Sequence, residues 1–322
     1  MHCRLWVFAL ACVVATIGPS LAQEWPSKPI RVVIPNAPGP VPDVMFRVMQ
    51  PIVEQRLGAK FYLDNKGGAD GNIGTADVVR SAPDGYTLRL GPTGNYAVTP
   101  HMYKNLEYNP LRDLDPIATL WEAPLILTVP ASLPVKTFRE LEALIRSTPG
   151  KYNYGSPGSG SPSHLFSAQL SLATGDSMVY VPFKGPSPLV TAMLAGDIHV
   201  ACYSLAVVVG HLKSGKLRAL AVSSKQRLPD IADIPTTAEA GYPQFAATNW
   251  WTLSAPRGTP PRIIERLAAE FLAPLNDAEV KRKTLEMGHL TVGLGPKETA
   301  AFIRSESERY KKIVDDGKIT AQ

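Results

Sequence analysis

The chain has 322 residues, 45% hydrophobic and 19% charged, with 33 Lys and Arg against 28 Asp and Glu for a net charge of +5. This composition excludes a disordered chain or a fibre. The small positive surplus is spread out, without the basic block that would track a phosphate backbone, so no nucleic-acid partner is expected.

At about 150 residues per domain, the length predicts two domains. The 30 prolines fall singly between apolar runs and predict an α/β protein with short, stiff connections. In chain order, His2 and Arg4 precede an apolar run from Leu5 to Ile17, then Gly18-Pro19 and the small-x-small site Ser20-Leu21-Ala22. This reads as a secretory signal peptide over residues 1–22, cleaved after Ala22 and too short to span ~30 Å of hydrocarbon. Cys3 and Cys12 leave with it, so the mature chain keeps Cys202 alone and forms no internal disulfide. Cys202 itself reads as a small buried apolar residue rather than a nucleophile.

Strands are expected over 30–34, 60–63, 87–90, 117–120, 125–129, 152–154, 179–183, 199–203, 217–222 and 247–254, from short β-branched or aromatic runs. Helices between them carry readable caps. Thr137-Phe-Arg-Glu140 is a capping box ahead of Leu141, Leu144 and Ile145, and Pro149-Gly150 is its stop. Ser161-Pro162 and Ser187-Pro188 each place an N-cap before a proline at the first helical position, and Thr259-Pro260 does the same ahead of Ile263, Ile264, Leu267 and Phe271. A last helix is expected from about Lys297 to Val314. Strand–helix alternation predicts mixed or mostly parallel sheets flanked by helices. The runs at 125–129 and 217–222 are the places where the chain is expected to cross between domains. Trp250 and Trp251 point to opposite faces of their strand, so at most one enters a given cleft; core packing is the expectation for both.

Three loops stand out for chemistry. They are Pro35 to Asp43, Gly91 to Asn95, and the Gly/Ser-rich stretch from Tyr154 to His164, each following a strand. Ligands of open α/β sheets sit beyond the carboxyl ends of strands, where helix N-termini offer free N–H groups to an anion. Ser156, Ser159, Ser161 and Ser163 add hydroxyls, and Gly155, Gly158 and Gly160 allow close backbone approach. The same residues also fit a plain turn and N-cap with solvated serines. Enzyme motifs fail. The phosphate-loop spacing at Gly210 to Lys216 has Leu217 where a hydroxyl must reach magnesium, so it reads as a helix end and turn. The third glycine of a dinucleotide fingerprint is missing after Gly158-Ser-Gly160, and no Gly-x-Ser-x-Gly elbow occurs. No two histidines stand at metal-ligand spacing, and neither metal nor cofactor is expected.

With these loops placed, the sequence resembles the periplasmic solute-binding proteins of tripartite tricarboxylate transporters, the Bug or TctC family. The resemblance runs from Trp25 to Pro35 and through Gly67-Gly-Ala-Asp-Gly-Asn-Ile-Gly74, Ala82 to Leu88, Tyr154-Gly-Ser156, Val181 to Gly185, Gly215 to Val222 and Pro235 to Gly241. It implies a two-domain α/β periplasmic binding protein of type II-like architecture with the ligand cleft between its domains. One domain is 23–122 plus 223–322 and the other 123–222. It implies a carboxylate ligand held by backbone N–H groups, hydroxyls and ordered waters, and the transporter's membrane subunits as partners of a monomer. Carried over by position, Pro38, Gly39 and Asp43 form the first loop of the site and Thr93 and Asn95 the second. Ser156, Ser159, Gly160, Ser161 and His164 form the opposite wall, with Gly185, Tyr203 and Ser204 in later loops. Two departures matter. Pro40 replaces a residue with a backbone N–H and stiffens the first loop. Tyr203 stands where many members carry an acidic residue, which removes the charge partner of a ligand amine and favours an aromatic or plain carboxylate over an amino acid. Two other readings remain beside transport: a sensor that presents the solute to a signalling receptor, and an exported hydrolase using a loop serine with His164 as base.

Overall fold

The computed structural model describes residues 25–36, 39–103, 105–158, 160–175, 177–245 and 247–320. Residues 1–22, expected to be a signal segment, and the site candidates Pro38 and Ser159 lie outside the described residues.

Eleven strands are described, β1 Ile30–Ile34, β2 Phe61–Asn65, β3 Thr87–Pro92, β4 Leu114–Pro124, β5 Ile126–Pro130, β6 Tyr152–Ser156, β7 Met178–Pro182, β8 Val200–Tyr203, β9 Leu217–Val222, β10 Thr248–Pro256 and β11 Leu290–Leu294. They form two sheets, one in the order β11-β4-β10-β3-β1-β2 and the other β7-β6-β8-β5-β9. Both are mixed. β2 and β3 run parallel to β1, and β7 and β8 parallel to β6, whereas β10 is antiparallel to β3 and β4, β11 to β4, and β5 to β8 and β9.

Helices cover both faces of the first sheet, and its strands are correspondingly apolar throughout. Ile30, Val32 and Ile34 of β1 pack in one cluster with Phe46 of the Pro40–Leu57 helix and Phe271 of the Pro261–Leu272 helix. Val33, on the opposite face, packs in a second cluster with Tyr310 and Ile313 of the Pro296–Asp316 helix. Leu165, from the Pro162–Ala173 helix beside the second sheet, joins that same cluster, so the two halves share apolar contact.

The chain passes from the first sheet to the second at Leu125, in the first expected run, but it returns only after Ala247, ahead of β10, and not at the expected run 217–222. Leu125 alone separates β4 from β5. Ser223, just after β9, holds both crossings together: its N–H donates to Leu125 O (2.8 Å), its Oγ accepts from Leu125 N (2.8 Å), and the same Oγ donates to Ala247 O ahead of β10. Residues 223–245 pack chiefly on the second sheet's side, where Phe245 meets Phe138 and Phe166 and Leu228 and Ile231 join the cluster around Tyr203.

The capping box forms, with Glu140 N donating to Thr137 Oγ1 at 3.1 Å and Lys136 N to the Glu140 carboxylate at 2.6 Å. One cap shifts. The helix expected to start at Ser187-Pro188 starts two residues earlier, as Pro186–Ala195 with Gly185 as N-cap at φ +102°. Glycine takes that backbone without strain, which a serine cap would not need. β11 was not expected: its sequence carries Gly293 at φ +75° and lies half-buried at a sheet edge, so it lacks a core strand's apolar run.

Candidate ligand-binding cleft

Because β1 and β3 are parallel, and so are β6 and β8, each pair sends its carboxyl-end loops to one edge of its sheet. The cleft at these loops has two chambers of about 460 Å³ each. Asn36, Pro157, Ser161, Pro162, Asn249 and Trp251 line both, so the chambers are continuous. Gly67, Gly68, Gly71, Gly94, Gly158 and Gly160 line one of them, the glycine chamber. The other, the ring chamber, is lined by Tyr203, Trp251 and His289 beside Pro42, Leu125 and Val207. No described lining residue of either chamber is an Asp, Glu, Lys or Arg.

Helix N-termini make the polar walls. Gly39 precedes the Pro40–Leu57 helix and Gly71 the Asn72–Val79 helix; Ser161 and Ser204 precede the Pro162–Ala173 and Leu205–Lys213 helices. Each such end carries unsatisfied N–H groups and the positive end of the helix dipole, which favour an anion. Ser161 Oγ accepts from His164 N (3.2 Å) and donates to Gly158 O (2.8 Å), which folds the loop back onto its own helix. Gly160 sits at φ +71°, and a Cβ there would fall 2.6 Å from Met102 Sδ, so this wall requires glycine twice over. After β3, the chain makes a wide π-type turn over Gly94–Val98 that brings Asn95, 1% exposed, to the glycine chamber.

A cation lies behind this chamber. Arg89 of β3 is fully buried, its Nε donates to Thr75 Oγ1 at 3.0 Å, and its guanidinium stacks 4.4 Å from the Tyr96 ring centre. Thr75 Oγ1 in turn donates to the carbonyl of Gly71, a chamber residue, at 2.9 Å. Nη1 and Nη2 have no hydrogen-bond partner among the described residues. Gly91 leaves them room, since a Cβ there would fall 2.0 Å from Nη1. A buried guanidinium without a carboxylate raises the local potential in a medium of reduced dielectric, and so favours an anion nearby.

Of the residues expected at the site, Gly39, Asn95, Gly160, Ser161, Tyr203 and Ser204 line the cleft. Five others stand behind it. Thr93 Oγ1 accepts from Trp250 N (2.8 Å) and locks β3 to β10. Ser156 Oγ donates to Gly158 O (2.9 Å) and lies 2.8 Å from Tyr180 Oη. Asp43 Oδ1 accepts from Asn65 Nδ2 (3.0 Å), joining the first helix to the end of β2. Gly185 N donates to Pro157 O (3.0 Å), and the next residue, Pro186, is the one that lines the ring chamber. His164 is 4% exposed and stacks on Tyr180 at 4.0 Å between ring centres; its Nδ1 accepts from Gly160 N (3.1 Å). Burial lowers its pKa to about 4, so the imidazole is neutral and remains an acceptor for the glycine loop at neutral pH.

The sequence reading did not place Asn249, Trp251, His289 or Arg89 at the site, and it covered Asn36 only as part of the first loop. The expectation of core packing holds for both tryptophans, Trp250 on Tyr96 and Phe302 and Trp251 in the apolar cluster of the first sheet, and Trp251 lines the cleft as well. Asn249, two residues from Trp251 on β10, shares its face, and that alternation is the signal that finds the pair once one of them is placed.

Against known proteins, the family model described as the tripartite tricarboxylate transporter family receptor, TctC, matches residues 45–319. Protein BugT of Bordetella pertussis is 33% identical over 305 residues, covering 94% of each chain. Among solved structures, R. palustris Rpa4515 with adipate superposes with a TM-score of 0.79 at 30% identity, covering 92% of this chain and 99% of that one. MatC from Rhodopseudomonas palustris with bound malate gives 0.75 at 29%, covering 90% and 100%. The two mixed sheets and the cleft between their loops are thus matched over nearly the whole described chain, and this protein belongs to the TctC family of tripartite tricarboxylate transporter receptors.

Proposed function

We propose that this protein is a periplasmic receptor that captures a small organic carboxylate in the cleft and passes it, as a monomer, to the membrane subunits of a tripartite transporter. Its role is binding rather than catalysis. The observation that carries this reading is the meeting of helix N-termini from both sheets around a cleft with no charged lining residue described, with Arg89 buried behind the glycine chamber. Amide N–H groups satisfy a carboxylate's lone pairs, which makes its desolvation tolerable. Carboxylate ligands in R. palustris Rpa4515 and MatC support the same chemistry here.

The two sheets with their helices act as lobes hinged at Leu125 and Ser223, and a ligand touching both favours the closed form by the contacts that only that form makes. The hydrolase reading is disfavoured by His164: its Nδ1 is engaged by the Gly160 amide and its ring is stacked, while Ser161 Oγ is spent on Gly158 O and His164 N. Calorimetric titration of the purified protein with mono-, di- and tricarboxylates tests the proposal. Saturable binding of at least one class, without turnover of ester analogues, is expected; no binding by any class would overturn it.

A further inference from the structure

The ring chamber holds a set of polar atoms that the fold itself does not satisfy. Tyr203 and Trp251 are 2% and 5% exposed, and neither Tyr203 Oη nor Trp251 Nε1 has a hydrogen-bond partner among the described residues. Asn249 Oδ1, on the same face of β10 as Trp251, is also buried without one. All three residues line this chamber, and they come from both sheets: Tyr203 ends β8, while Asn249 and Trp251 belong to β10. Buried polar atoms are nearly always paired, so three orphans on residues that line one chamber point to a guest that pairs them.

The chemistry of that guest follows from what each atom can do. The Trp251 indole N–H only donates, and Asn249 Oδ1 only accepts. The Tyr203 hydroxyl does both, and burial raises its pKa, which keeps it protonated. His289 is 3% exposed, and its Nδ1 lies 2.8 Å from the Met287 carbonyl. A carbonyl only accepts, so Nδ1 carries the proton, and Nε2 of the neutral ring is an acceptor. Donors and acceptors therefore stand together with no formal charge. A carboxylate here would meet the lone pairs of Asn249 and His289, against the pull of the helix N-termini at Gly39, Ser161 and Ser204 that also line this chamber. An ammonium group would meet the Trp251 N–H and has no carboxylate to balance it. A hydroxyl gives one proton and takes another, and fits. Pro42, Leu125, Val207 and the Trp251 ring give the rest of the chamber apolar walls.

We propose that the ring chamber recognises an uncharged hydroxyl at the far end of the ligand, so that the receptor selects hydroxyl-bearing monocarboxylates with an apolar body over dicarboxylates and amino acids. This rests on the carboxylate-receptor reading, with the ligand's acid group in the glycine chamber.

Two matched series test it by calorimetry on the purified full chain: hexanoate, 6-hydroxyhexanoate and adipate, and benzoate, 4-hydroxybenzoate and terephthalate. In at least one series the hydroxy acid binds about tenfold tighter than the plain acid, as expected for two hydrogen bonds to buried partners, and the dicarboxylate binds weakest. Tyr203→Phe removes most of that advantage, lowering the hydroxy acid's affinity several-fold more than the plain acid's, a result that a merely structural tyrosine would not give. Equal binding of plain and hydroxy acids, tighter binding of the dicarboxylate, or an equal loss for every ligand in Tyr203→Phe overturns the inference and leaves the receptor reading intact. Failure of all six acids to bind overturns the inference, and the receptor reading falls with it when tricarboxylates fail as well.

Discussion

The two chambers of the cleft are built by different means. The glycine chamber is made of backbone: Gly71, Gly94, Gly158 and Gly160 bring main-chain groups to its surface, helix N-termini give it polarity, and side chains such as His164 and Ser156 work from behind. The ring chamber adds side chains to the helix N-termini at Gly39, Ser161 and Ser204: Tyr203 from β8 and His289 from the turn before β11 line it alone, and Trp251 and Asn249 of β10 line both chambers. A backbone-built site suits a group common to many ligands, whereas a side-chain-built site can change one residue at a time. The first chamber therefore serves the shared carboxylate, and the second the part of the ligand that differs.

Changes at the glycine chamber should act on every acid alike, and four predictions test this, from the largest effect to the smallest. Acidification comes first. His164 has a folded pKa of about 4 against 6.5 unperturbed, so between those values the unfolded chain takes up a proton that the folded chain refuses. Its contribution to stability is complete above pH 6.5 and is lost as pH falls to 4, on the order of 3 kcal/mol. Thermal melts from pH 7 to pH 4 should show that slope, and His164→Asn, which keeps an acceptor near the Gly160 amide, should flatten part of it. The residual slope belongs to His101, His199 and His289, whose pKa values burial also lowers, and to carboxylates whose pKa values hydrogen bonds lower, such as Asp113 beside Arg112 and Glu142 beside Tyr242.

Ser161→Leu is next. It fills the junction of the two chambers and removes the hydroxyl that orders the loop, so affinity for every acid should fall by about a hundredfold, with a loss of stability of about 1 kcal/mol from the missing cap. Selective loss for hydroxy acids would place the carboxylate elsewhere. Arg89→Met should weaken all carboxylates by about tenfold and reduce the salt dependence of binding, since it removes a long-range attraction rather than a contact. Gly91→Ala pushes against Nη1 and should cost a smaller part of the same affinity, about threefold; combined with Arg89→Met it should add little, because the two act through one guanidinium.

What the sequence made legible divides along the same line. β1 and β9 fall on the expected residues, the Thr137 box and the Ser161 cap form, and Gly160 and Ser161 line the cleft, because each depends on a few consecutive residues. The ring chamber depends on pairings distant in sequence. β10 lies antiparallel between β3 and β4, and only that register sets Trp251 opposite Pro92 and Trp121 and Asn249 opposite Ala123. Strand–helix alternation suggests parallel neighbours and carries no signal for such an insertion. Arg89 was hidden for a related reason. An arginine between two leucines of a strand reads as solvent-facing, until helices are found on both faces of the sheet. Tyr203 was noticed as a departure from an acidic position, but its unpartnered hydroxyl emerges only beside Trp251 and Asn249.

The most direct test is a crystal structure with a bound hydroxy acid, 6-hydroxyhexanoate or 4-hydroxybenzoate. The account predicts the carboxylate within hydrogen-bond distance of the backbone at Gly160–Ser161 or Gly94–Asn95, and the hydroxyl between Tyr203 Oη and Trp251 Nε1. A ligand lying the other way round, with its carboxylate on Tyr203 and Trp251 and its hydroxyl among the glycines, would contradict it.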